Sequence, residues 1–137
     1  MPLGPKALDP ITPYHVYEFW ARGRVFYVGL TWSEIRTHGR WGHVKNLVKH
    51  EDSGTLKPGK RSDLYRKSNQ VIAALIRAGE PEHEVRISWR GYGSAAADAA
   101  ETTRILELVQ LGAVLANDAK NPRRASVEDV LSYLGLR

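Results

Sequence analysis

The chain has 137 residues, 42% hydrophobic and 26% charged, with 20 Lys/Arg against 15 Asp/Glu and no cysteine. That length holds one compact domain rather than two, and the composition is that of a globular chain, not a disordered or fibrous one. The lack of cysteine excludes a disulfide framework, a thiol nucleophile and cysteine-ligated zinc, and no apolar run approaches the roughly 20 residues that span a bilayer.

Charge is unevenly placed. Between Arg22 and Lys67 stand eleven basic residues and four acids, a local surplus of +7 against +5 for the whole chain. Such a stretch suits a polyanionic partner, because each phosphate it neutralises releases counterions; a merely solvated charged face reads the same way. The N-terminus has neither the apolar core nor the cleavage site of a secretory signal. The expectation is a cytoplasmic protein without membrane association.

In chain order, residues 1–12 carry three prolines and read as an irregular leader. Residues 14–20 and 24–30 are rich in aromatic and β-branched side chains and read as two strands joined at Ala21-Arg22-Gly23. A three-residue loop puts Gly23 in the left-handed position, opposes Tyr17 to Tyr27 and points both phenols to one face; a two-residue loop separates them. Ser33 N-caps a helical stretch to His50, weakened by Gly39 and Gly42, so its first turn reads as separable from a main helix near 40–50. Residues 51–62 read as a solvent loop. Asp63 is expected to cap a helix whose stripe Leu64, Val71, Ile72, Leu75 and Ile76 ends at Gly79. Val85, Ile87 and Trp89 alternate as a third strand, Ser94–Leu111 is an alanine-rich helix, and Val114-Leu115 is a short strand. Ser126 and Asp129 then open a capping-box helix. The order predicts an α+β domain over 13–120, a three-stranded, mostly antiparallel sheet flanked by helices, with a C-terminal helical extension over 121–137 packed on it.

Val16-Tyr17, followed after nine intervening residues by Tyr27-Val28-Gly29, resembles the paired motifs that name the GIY-YIG nuclease superfamily, with His15 where the family usually has glycine. The resemblance continues through Arg40-Trp41-Gly42-His43, the helix holding Ala97-Asp98-Ala99-Ala100-Glu101, and Leu115-Ala116-Asn117. It implies a Mg²⁺- (or Mn²⁺-) dependent endonuclease acting on DNA, of restriction, phage or mobile-element type. Tyr17 is then the general base, Tyr27 a second base or water-positioning group, Arg40 the phosphate grip, His43 a hydrogen-bond donor or proton-transfer group, and Glu101 the metal ligand. Gly29 and Asn117 are structural neighbours of the site. The Arg40–His43 gap is shorter than the family's and the Glu101–Asn117 gap longer, so Arg36 and Glu107 stand as alternatives to Arg40 and Glu101.

The chemistry is coherent with those residue types. Phosphodiester hydrolysis needs an activated water, a neutralised phosphate and a stabilised leaving oxygen. A phenol with its ordinary pKa near 10 is a poor base at neutral pH unless cations or a metal lower it. A guanidinium fork matches phosphate better than an ammonium does, and Mg²⁺ takes only one or two carboxylates while keeping its waters. Arg36, Lys45, Lys49, Lys57, Lys60 and Arg61 are expected to contact DNA phosphates. Each residue taken alone has an ordinary reading: strand aromatic, exposed helix charge, surface glutamate, turn asparagine. His38, His43 and His50 do not share one helix face and make no zinc site. Gly59-Lys60-Arg61-Ser62 lacks the strand and glycine spacing of a nucleotide-binding loop. Trp32 and Trp41 are as suited to a core as to stacking on bases and are not counted as sites. The alternatives are a non-cleaving nucleic-acid-binding module of the same fold, or a basic RNA-binding α+β domain. Cutting both strands from one site calls for a second copy or a second encounter, which leaves a homodimer open.

Overall fold

The computed structural model describes residues 10–137, so the first nine residues of the expected leader lie outside the described residues. Among the described residues the order is β1 (Pro13–Ala21), β2 (Arg24–Thr31), α1 (Glu34–His38), α2 (Arg40–Asp52), α3 (Arg61–Leu64), α4 (Lys67–Arg77), β3 (Glu84–Tyr92), α5 (Ser94–Gln110) and α6 (Val127–Tyr133), with one 3-10 turn at Pro58–Lys60. The strands form a single antiparallel sheet, β2-β1-β3, with β1 at its centre. The class is α+β.

Alternation along the strands divides the sheet into two apolar faces. Val16 and Val28 meet Ile105, Leu108 and Val109 of α5 on one of them. Tyr17, Phe19 and Phe26 share the other core with Val44 of α2, Val71 and Ile72 of α4, and Leu131 of α6. The 121–137 extension is therefore part of the main core. Ser126 and Asp129 form the capping box that starts α6.

The hairpin departs from the expected loop. Arg22 (φ 55°) as well as Gly23 (φ 76°) is left-handed, and Ala21 pairs with Arg24, so the turn has two residues. A two-residue turn of this hand needs positive φ at both positions; the expectation had granted that only to the glycine. Alone, this turn would send Tyr17 and Tyr27 to opposite faces. A bulge cancels the flip: the register steps from Trp20↔Val25 to Phe19↔Tyr27 and leaves Phe26 over. Tyr27 thus shares a face with Phe19 and Tyr17, and the direct partner of Tyr17 is Gly29.

Three further expectations change. Asp63 lies inside α3, and Arg66 occupies the N-cap of α4, so the helix expected to start at Asp63 is broken in two. The 51–62 loop holds the end of α2, the 3-10 turn and the start of α3. Val114-Leu115 is not a strand. Instead Ala116 N–H donates to the Phe26 carbonyl at 2.8 Å, and the Asn117 carboxamide accepts from Val28 N–H at 3.0 Å and donates to its carbonyl at 2.7 Å. One side-chain amide pairs with the β2 edge as a neighbouring peptide would. Ser33 does cap α1, accepting from Arg36 N–H. The break after α1 falls at Gly39, where a Cβ would stand 2.7 Å from the Ile35 carbonyl oxygen.

Candidate active site

A cleft of about 640 Å³ is lined by Tyr17, Tyr27, Arg36, Arg40, His43 and Glu101, together with Asp63 and Arg66. The five residues expected to be catalytic come from β1, β2, α2 and α5, and this cleft brings all of them together. Glu107 is exposed and does not line it, so of the two glutamates only Glu101 faces the cleft. Arg36 and Arg40 both do.

The two tyrosine rings lie 6.3 Å apart between centroids. Tyr17 is 4% exposed, whereas Tyr27 is half-buried. The Tyr17 ring sits directly over Gly29: a Cβ there would lie 2.1 Å from Cζ and 2.2 Å from the hydroxyl oxygen. The close approach of the phenol accounts for glycine at this position. Gly29→Ala should cost about 1–3 kcal/mol through overpacking and displace the phenol. Urea unfolding would check this, and unchanged stability would refute the close approach. Burial, then Tyr27, pushes the Tyr17 phenol well up from its ordinary value; Arg40 pulls it down by less, Glu101 adds to the rise and Arg66 opposes it. At neutral pH Tyr17 therefore stays protonated, which weighs against the base role expected for it.

Arg40 opens α2 directly after the Gly39 break. Its Nη1 donates to Ser68 Oγ at 3.0 Å and to Asn69 Oδ1 at 2.9 Å, and its guanidinium stands 5.5 Å from the Phe19 ring centroid and 5.6 Å from that of Tyr27. Asn69 also donates from Nδ2 to the Asp63 carbonyl at 2.7 Å. One amide thus ties the arginine to the segment carrying the carboxylate that pairs with His43 (Nε2 to Oδ2, 3.4 Å). Arg40 and His43 are fixed relative to each other, and the rest of the Arg40 fork has no other hydrogen-bond partner among the described residues. Behind Arg40, buried His83 packs 4.1 Å from the Phe19 ring. Burial, and to a lesser degree Arg40, lowers its pKa to about 4, so it is neutral at pH 7 and adds no charge. His15, at the glycine position of the family motif, is buried and shares a 2.6 Å hydrogen bond between Nε2 and Thr37 Oγ1. It ties β1 to α1.

Glu101 is paired with Lys120 on a helix anchored to the sheet. One turn further along α5, Arg104 Nε donates to Oε2 of buried Glu18 at 2.5 Å, fixing the helix to the sheet. Lys120 Nζ stands 2.7 Å from Glu101 Oε1 and 2.5 Å from Asp98 Oδ1. Lys120 is left-handed (φ 64°), in a turn where Asn121 Nδ2 donates to the Asn117 carbonyl at 2.7 Å. No group of three or more His, Cys, Asp or Glu that could hold a metal occurs among the described residues. The cleft's two carboxylates are Glu101 and Asp63, the latter paired with His43; so small a set fits Mg²⁺ or Mn²⁺, which keep water ligands, and does not fit a cation needing an all-protein shell. A metal ion at Glu101 must share or displace the Lys120 ammonium. His38, His43 and His50 are engaged separately, with Glu34, Asp63 and Thr55.

The expected phosphate contacts lie outside the cleft, Arg36 excepted. Lys45 and Lys49 stand on the outer face of α2, whose inner face is marked by Val44, Leu47 and Val48, and Lys57, Lys60 and Arg61 follow on the exposed turn. Among the described residues none of these five is in an ion pair, nor are Arg36, Arg40 and Arg66, whereas Arg77, Arg86, Arg90, Arg104, Lys120 and Arg137 all are. Of the eleven basic residues between Arg22 and Lys67, Arg22 and Lys67 themselves are paired, with Glu80 and Asp118; the other nine are in no ion pair among the described residues. Asp63, Arg66, Ser68, Asn69 and Lys120 were not expected at the site. Asp63 carried only a capping signal, and nothing in the spacing marks the other four. No family model matches the chain, and neither curated proteins nor solved structures match it. No helix among the described residues is long and apolar enough to cross a membrane.

Proposed function

We propose that the protein is a metal-dependent DNA endonuclease of the GIY-YIG type. The observation that carries this reading is the convergence of Tyr17, Tyr27, Arg40, His43 and Glu101 on one cleft, since four separate elements supply the residue set that the sequence resemblance names. The un-neutralised cations of α2 and the following turn support a polyanionic partner.

In the reaction, Arg40 grips the scissile phosphate with the part of its fork that Ser68 and Asn69 leave available, and its charge is most useful as negative charge builds on the phosphoryl oxygens. Tyr27, the member of the pair that reaches solvent, meets the attacking water and takes its proton as phenolate, having first lost its own proton to solvent. Tyr17, kept protonated by burial, orients that water or a phosphate oxygen by donating a hydrogen bond. His43, steadied by Asp63, donates to the phosphate or the leaving oxygen. Glu101 would hold Mg²⁺, which supplies charge neutralisation at the phosphate when bound. These roles predict that Tyr27→Phe loses about 10²–10⁴ in single-turnover plasmid nicking. Tyr17→Phe should lose about tenfold or less, the scale of one hydrogen bond. The reverse order would make Tyr17 the base in spite of its burial.

One observation favours a second reading, a non-cleaving binding module of the same fold. The Lys120 ammonium already sits on Glu101, where a catalytic cation would have to go. Binding of DNA without Mg²⁺-dependent nicking would select it.

A further inference from the structure

Trp20, Trp41 and Trp89 are each half-buried: Trp20 lies beneath Arg86, whose guanidinium stands 3.8 Å from its ring, Trp41 packs near His83, and Trp89 lies over Gly91. Trp32 is different, with 65% of its surface exposed. It is not on a loose tip. Ser33 N–H donates to Thr31 Oγ1 at 3.0 Å, Thr37 Oγ1 donates to the Ser33 carbonyl at 3.2 Å, and Thr37 is bonded to His15 of the sheet. The indole is thus presented on a turn tied down at both ends. It heads a second cleft, about 550 Å³, with Tyr14, Leu30, Thr31, Arg36 and Asp98. Leu30, Thr31 and Arg36 line the candidate active site as well, so the two clefts adjoin. Asp98, the carboxylate in the second cleft, is paired with Lys120, and Arg36 at the junction is in no ion pair among the described residues. The charge therefore favours a phosphate at the boundary, with an apolar, aromatic hollow beside it.

We propose that this second cleft takes one nucleobase of the strand being cut, stacked on Trp32 and next to the scissile phosphate that Arg36 helps hold. The inference rests on the nuclease reading and narrows its substrate. In an intact duplex both faces of every base are covered by neighbours, so an indole reaches a base face only on an unpaired or extruded nucleotide. The substrate class is DNA with unpaired nucleotides at the cut. The volume lies within the range of clefts that hold small ligands.

The test compares the full chain with Trp32→Ala and Trp32→Phe, in EDTA, binding a fluorescein-labelled single-stranded oligonucleotide and its duplex by anisotropy. Base–aromatic stacking is worth about 1–3 kcal/mol per base, so Trp32→Ala should weaken single-strand binding by about 5- to 150-fold. Duplex binding should change by less than about twofold, and Trp32→Phe should stay near the parent. Equal melting temperatures establish that the alanine variant is folded. Single-strand affinity unaffected by Trp32→Ala, or lost equally for both DNAs, overturns the stacking cleft while leaving the nuclease reading in place. A parent protein that binds neither DNA overturns both.

Discussion

Glu101→Gln should abolish cleavage, by about 1,000-fold or more, while DNA is still bound. Glu101 is the carboxylate of α5 that lines the cleft, and charge neutralisation by a metal is worth several kcal/mol at a phosphoryl transition state. Glutamine keeps the size and the helix propensity of the residue. It also keeps α5 in place, because the helix is anchored by Arg104 on Glu18 and Lys120 retains Asp98. Glu107→Gln, on the exposed side of the same helix, should cleave normally. Single-turnover nicking and anisotropy on the same preparations check both halves. Loss of activity in the Glu107 variant with Glu101→Gln normal would show that the wrong face of α5 had been assigned to the cleft.

Arg40→Lys should retain most DNA affinity and lose at least about 100-fold in rate, the scale seen when one preorganised donor is removed from a transition state. Lysine keeps the charge but cannot donate at once to Ser68, Asn69 and a phosphate in a planar fork. Such a donor matters most where charge develops, so rate should suffer more than binding. Arg36→Lys should be milder in rate, because Arg36 has no comparable anchor among the described residues and sits at the rim shared by the two clefts. A dead Arg36→Lys beside a near-normal Arg40→Lys would move the phosphate grip back by one turn and take His43 out of the site.

What could be read from the sequence was whatever one element carries by itself. The strand pattern of β1 and β2, the Ser33 cap, the helix stripe of α4 and the capping box of α6 are local signals, and each marks its element. The hairpin register was not local in this sense. It depended on Arg22 accepting a positive φ and on a bulge at Phe26, two events that cancel, and neither leaves a mark in residue type. The common face of Tyr17 and Tyr27 was therefore expected through a wrong turn and reached through a compensating one. The groups that hold the site are long-range. Ser68 and Asn69 meet Arg40 across 28 and 29 positions, and Lys120 meets Glu101 across 19. Only the packing of α4 on α2, and of the 117–121 turn on α5, brings them together. Gly29 shows the same limit: its place at a strand end was visible, but the ring above it was not.

The most direct test of the nuclease reading is incubation of the purified chain with supercoiled plasmid in Mg²⁺ and, in parallel, in EDTA. The account predicts conversion to the nicked or linear form in Mg²⁺ alone, lost in Glu101→Gln. Equal cutting in EDTA, or none in either condition while the plasmid is bound, would contradict it.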